Sequence, residues 1–147
     1  MKILEKIDRY INEAEGSKAD FDVRDIENET VKNDNFRKVL YTGKNLQLVL
    51  MSLKPGEEIG NEMHSDVDQF FRIDSGKGKV VIEEEESHDI EDGSSIVIKA
   101  GTYHNIINTS DTEPLKLYTI YSPPNHPPGT VHKTREEAVE AEKEHEE

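Results

Sequence analysis

The chain has 147 residues, enough for one domain, and its hydrophobic 33% gathers mostly between positions 36 and 121. A net charge of −14, from 32 acidic and 18 basic residues, repels phosphate backbones and anionic membranes, so no nucleic-acid or membrane partner is expected. The absence of cysteine excludes disulfides, thiolate metal sites and cysteine nucleophiles.

Ile3, Leu4, Ile7, Ile11 and Ala14 recur at helical spacing and predict a short amphipathic helix over 1–15, ended by Gly16. This opening carries acidic residues throughout and no continuous apolar stretch, so it does not read as a secretory signal. No run approaches the roughly 18 apolar residues of a membrane span, and a cytoplasmic protein is the expectation. Residues 16–34 are polar and read as a linker with room for one extended piece.

From Phe36 the pattern changes. FRKVLYT and LQLVLMSL are short and rich in aliphatic and β-branched residues, as strands are, with Gly43-Lys44-Asn45 as a turn between them. Lys54-Pro55-Gly56 reads as another turn, since proline presets φ and glycine accepts the left-handed region. QFFRI, KVVIE, SSIVI, HNIIN and LKLYTIY follow, separated by Gly76 and Gly78, Asp92-Gly93 and Gly101. Many short strands at near-regular spacing predict an all-β sandwich or barrel over 35–122. Its expected core is Leu48, Leu50, Phe70, Phe71, Val80, Ile82, Ile96 and Ile98. The acidic run 83–86 reads as a solvated turn. Beyond it all, 123–147 is a proline-rich arm followed by a helix, with Thr134 and Glu137 spaced as a capping box. His126 and His132 lie in the arm; an arm folded over the barrel mouth would place one of them near the site, but a surface position is the preferred reading.

Glu62 and His64 are two residues apart, so an extended backbone points both side chains the same way. Gln69 opens QFFRI; if it faces inward, so do Phe71 and Ile73, a sensible barrel lining. His104 heads a later strand, after the break at Gly101. Imidazole and carboxylate donors suit divalent zinc, iron, manganese or nickel. Asp66 and Asp68 read as part of a polar turn.

These residues carry a resemblance. Gly56-EEIGN-Glu62-Met63-His64-SDVD-Gln69-FFRIDS-Gly76 resembles the first cupin motif, in which a glycine precedes His-x-His, a glutamate and a second glycine. Gly93-SSIVI-Lys99-Ala100-Gly101-TY-His104-NII-Asn108 resembles the second, which runs glycine, Pro-x-Gly, histidine, asparagine. The likeness covers about 36–121 and has the short gap between motifs of small microbial cupins. It implies a double-stranded β-helix (a jelly-roll barrel) with short N- and C-terminal helices, of the RmlC-like kind often labelled mannose-6-phosphate-isomerase-like. It also implies one divalent metal ion on Glu62, His64, Gln69 and His104. Glu62 stands where the family has a histidine, Gln69 where it has a glutamate, and Lys99 where it has a proline. The resulting inventory of two His, one Glu and one Gln is similar to that of type I phosphomannose isomerases, with Gln and Glu in reversed order.

The resemblance implies a small-molecule ligand in the barrel. Sugar isomerisation or epimerisation is the preferred chemistry, with a non-catalytic binding module or an iron-dependent dioxygenase as alternatives. Isomerisation needs a base beside the metal, and Glu62 is the one obvious inward carboxylate. Lys99, Arg72 and Lys79 are the cations available as a local phosphate clamp. Cupins commonly form homodimers, and the strand at 36–41 is the expected edge to cross to a partner.

Overall fold

The computed structural model describes residues 16–146, with side chains described through residue 143. The helix expected over 1–15 lies outside the described residues. In chain order the elements are α1 (Ile26–Lys32), β1 (Arg37–Thr42), β2 (Gln47–Leu53), β3 (Asp68–Ser75), β4 (Lys77–Ile82), β5 (Glu86–Glu91), β6 (Ser95–Ile98), β7 (His104–Asn108), β8 (Leu115–Ser122), β9 (Val131–His132) and α2 (Arg135–Glu146).

The strands form two antiparallel sheets, one of order β6-β3-β8-β2-β1-β9 and one of order β5-β4-β7. Bridges from Glu58 to Ile107 and from Glu62 to His104 dock the β2–β3 connection along the free side of β7. The all-β jelly-roll expectation is met. The chain passes between the two sheets at Gly76, where φ is +94° and a Cβ would sit 2.4 Å from the Pro114 carbonyl oxygen. Only glycine fits that corner.

Alternation along the strands sorts inside from outside. Gln69, Phe71 and Ile73 of β3 face in, as do Val49, Met51 and Leu53 of β2 and Leu115, Leu117, Thr119 and Tyr121 of β8. Phe71, Val80, Ile96 and Ile98 are core as expected. Leu48 and Phe70 have the opposite parity and are half-buried on the outward face, while Ile82 packs against the core from its margin. Leu50 also faces outward, yet is buried, on the face of β2, β3 and β8 where α1 packs.

Three sequence expectations are corrected here. The polar stretch read as a linker contains α1. Its N-cap Asp25 accepts from the Asn28 amide, Thr30 is fully buried, and the Asn33 carbonyl and Asp34 receive the ammonium of buried Lys116. Strand 36–41 is no free edge: β9 pairs with Arg37 and Lys38, the Thr130 carbonyl accepts from Val39, and Ser17 bonds Thr42. The proline-rich arm, although exposed at Pro123, Asn125, Pro127 and Val131, is therefore not a free excursion, because it supplies that strand. At the head of α2 the Glu137 amide donates to Thr134 Oγ1 and its carboxylate accepts from the Lys133 amide. The expected capping pattern thus closes one residue earlier than the standard box.

Candidate metal centre

Glu62 and His104 are locked as a pair, each backbone N–H donating to the other's carbonyl at 2.9 Å. The His64 carbonyl accepts from the Gly101 amide at 2.8 Å, which fixes the second histidine beside them. One ligand atom from each of Glu62, His64 and His104 lies within 4.8 Å of the others, a grouping that could hold a metal ion. Glu62 Oε1 is 3.5 Å from both His64 Nε2 and His104 Nε2. Donors bonded to one ion at about 2.0–2.2 Å stand roughly 3–3.5 Å apart, so these separations fit a single divalent cation.

The protonation pattern makes the same point. His104 Nδ1 lies 2.9 Å from the Thr102 carbonyl and donates to it, which leaves Nε2 with a lone pair in the neutral ring. Gln69 Nε2 donates to Thr119 Oγ1 at 2.9 Å, so its Oε1 is turned toward His104 Nε2, 3.1 Å away. Two acceptors thus face each other, with a carboxylate oxygen beside them. His64 Nε2 is buried, and the 3.5 Å approach of Glu62 Oε1 is too loose to be a well-formed hydrogen bond. Either a proton on His104 or a cation among these atoms relieves the arrangement. Burial opposes charge on both Glu62 and His104. Even so, hydrogen bonding to His104 and His64 holds the Glu62 carboxyl at about 2, and hydrogen bonding to Glu62 and Thr102 raises His104 above its ordinary value.

All four side chains named from the sequence therefore meet at one place, although Glu62 and His64 are half-buried while Gln69 and His104 are buried. Asp68 is turned away: its carboxylate caps the Ala100 amide, and Asp66 is exposed.

Beside the donors lies a cavity of about 530 Å³, lined by Glu62, Met63 and His64 on one part and by Arg37, His126 and His132 on another. Of the two positions the sequence leaves to His126 and His132, the structure takes the less favoured: the arm returns over the barrel mouth, because buried Gln47 grips it. Gln47 Oε1 accepts from the amides of Asn125 and His126, and Nε2 donates to the His126 carbonyl. The His126 ring stands edge-on to Tyr121, with Nε2 3.2 Å from the phenol oxygen. Burial, then the charge of Arg37, depresses His126 to about 3, and burial pushes Tyr121 up. The cation on the cavity wall is Arg37. Arg72 instead lies on the outward face of β3 beside Asp74, Lys99 is exposed, and Lys79 flanks inward Val80.

The cupin-domain family model matches residues 49–121. The chain is 52% identical over 125 residues to the uncharacterized protein YrkC of Bacillus subtilis, spanning 82% of this chain and 67% of that one. It is 45% identical to a Bacillus halodurans protein solved by crystallography, with a TM-score of 0.79 over 81% of this chain and 93% of that one. The chain belongs to the cupin family. An RmlC-like cupin from Shewanella frigidimarina shares 18% identity and a TM-score of 0.55 over 61% of this chain and 77% of its own. That likeness concerns the fold alone. Among the described residues no helix is long and apolar enough to cross a membrane.

Proposed function

We propose that this cupin binds one divalent metal ion through Glu62, His64 and His104, with the Gln69 amide oxygen as a fourth donor, and presents it to a small molecule in the adjoining cavity. The observation that carries this reading is the set of converging acceptors. Gln69 Oε1 faces His104 Nε2 at 3.1 Å, and buried His64 Nε2 has no well-formed hydrogen bond, only Glu62 Oε1 at 3.5 Å. Leaving such groups unpaired in a low-dielectric interior is unfavourable, and a cation answers all of them together. The Thr102 carbonyl and Thr119 hydroxyl, which orient His104 and Gln69, fill the supporting role that ligands of a metal require.

A divalent ion within one carboxylate and three neutral donors keeps a net positive charge and, when bound, acts as a Lewis acid on an oxygen of the small molecule. Zinc, iron, manganese and nickel all suit this donor set. Sugar isomerisation or epimerisation, the preferred chemistry at the sequence level, gains no support from the cavity. Glu62 is taken up by the donor cluster, Tyr121 stays protonated, and His126 at about 3 is a weak base. A binding module and an iron-dependent dioxygenase make no such demand on the protein.

Elemental analysis of protein purified without added metal tests the reading, with about one ion per chain expected. Glu62→Ala and His104→Ala should lose it. Wild-type protein that takes up none of the four metals in calorimetric titration would sink the reading. A homodimer is the proposed assembly; strand β6 at the margin of the large sheet, with Val97 74% exposed, supports it. Sedimentation at the monomer mass would refute it.

A further inference from the structure

Arg37 opens β1 with its side chain turned inward, only 2% exposed, and lines the same cavity as Glu62 and His64. A buried guanidinium normally has a carboxylate beside it. Among the described residues Arg37 has none. Its Nη1 lies 3.4 Å from His132 Nδ1, its Cζ sits 5.4 Å from the centre of the Phe36 ring, and Nε is buried with no hydrogen-bond partner. The two carboxylates of the cavity lining do not answer it. Glu62 is held between His64 and His104, and Glu142 is exposed. His126 and His132, the other titratable groups of the lining, carry no negative charge.

We propose that the cavity takes a small organic acid whose carboxylate is bound by the Arg37 guanidinium while a second oxygen of the same molecule reaches the metal ion. This rests on the metal reading above. The charges favour an anion. Arg37 contributes +1, a divalent ion +2, Glu62 −1 and exposed Glu142 at the rim −1, which leaves +1 in the cavity of a chain whose formal charge is −14. A neutral sugar would leave the arginine as unpaired as it is now. The planar guanidinium matches a carboxylate in shape, and Nε supplies a donor with no other occupation. A volume of about 530 Å³ holds a small acid with room to spare. The strongly acidic exterior discourages non-specific anion binding, so an anion held here is held by the cavity.

The test titrates oxalate, succinate and 2-oxoglutarate into metal-loaded protein by calorimetry, with inorganic phosphate and glycerol alongside, for wild type, Arg37→Gln and Arg37→Lys. Metal content is measured on every sample. At least one carboxylate should bind wild type. Its affinity should fall at least tenfold in Arg37→Gln and by less in Arg37→Lys, which keeps the charge without the fork, while metal content stays constant. If Arg37→Gln does not fold by circular dichroism, Arg37→Lys carries the test, and an unchanged affinity there overturns the proposal. So does carboxylate binding indifferent to Arg37→Gln, the absence of any carboxylate binding, or binding of phosphate alone. Wild type without metal sinks the metal reading instead, a distinct result that the elemental analysis reports.

Discussion

The inward face of the large sheet ends in two different ways. At one extreme Leu53, Leu115, Leu117 and Ile73 lie together, all fully buried and with nothing polar among them. At the other, Thr42, Gln47, Tyr121 and Gln69 stand side by side in register across four strands, each less than 7% exposed. The same period-two alternation turned both sets inward. Burial therefore does not distinguish structure from function here; the bonding of the buried polar atoms does. Gln47 spends its amide on Thr42 and the arm, while Gln69 keeps an oxygen aimed at His104.

That contrast can be broken from either side. The largest effect belongs to the apolar end. Leu117→Ala should destabilise the protein by about 2–5 kcal/mol in urea denaturation and leave one ion per folded chain. Equal loss of metal would show that the two ends are not separable. His104→Ala should weaken metal affinity more than about 100-fold, since it removes a donor and not merely its support, and competition with a chelating dye would measure this. Gln47→Ala strands the amides of Asn125 and His126, for a loss of about 1–3 kcal/mol. Those two amides should then exchange with deuterium faster, while protection in β3 and β8 holds. Gln69→Ala should weaken metal affinity about tenfold, with stability nearly unchanged, because it removes one neutral donor from four.

The smallest effect is on pH dependence in metal-free protein. Glu62 is held at about 2 against an ordinary 4.5, so its contribution is present above 4.5 and is lost as pH falls toward 2. His104 is raised above 6.5, so its contribution is present below 6.5 and is lost as pH climbs through the raised value. Stability should peak between these limits, by on the order of 1 kcal/mol given the partial exposure of Glu62. Glu62→Gln should flatten the profile; a profile that stays peaked would assign the effect to other groups.

What the sequence revealed followed from local rules. Strand alternation turned Gln69 inward with Phe71 and Ile73, and a two-residue step joined Glu62 to His64. The remainder depended on contacts between distant segments. Nothing near His126 signals burial, because the cause is Gln47, 79 positions away. Helix α1 has no apolar stripe to betray it, since its buried residue is Thr30 and it is capped by polar side chains. Arg37 has the inward parity of Val39 but not the chemistry of a core residue, so apolar alternation does not mark it. The β-bulge between Val39 and Tyr41 blurs that parity further.

The family match spans 49–121, and all four donors fall within it. Arg37, Gln47, His126 and His132 fall outside. On the proposed reading, the residues that would hold the ion lie within the matched stretch, while the arginine and the arm that complete the cavity wall lie on its flanks. Substitutions in those flanks would then alter the guest without touching the donors.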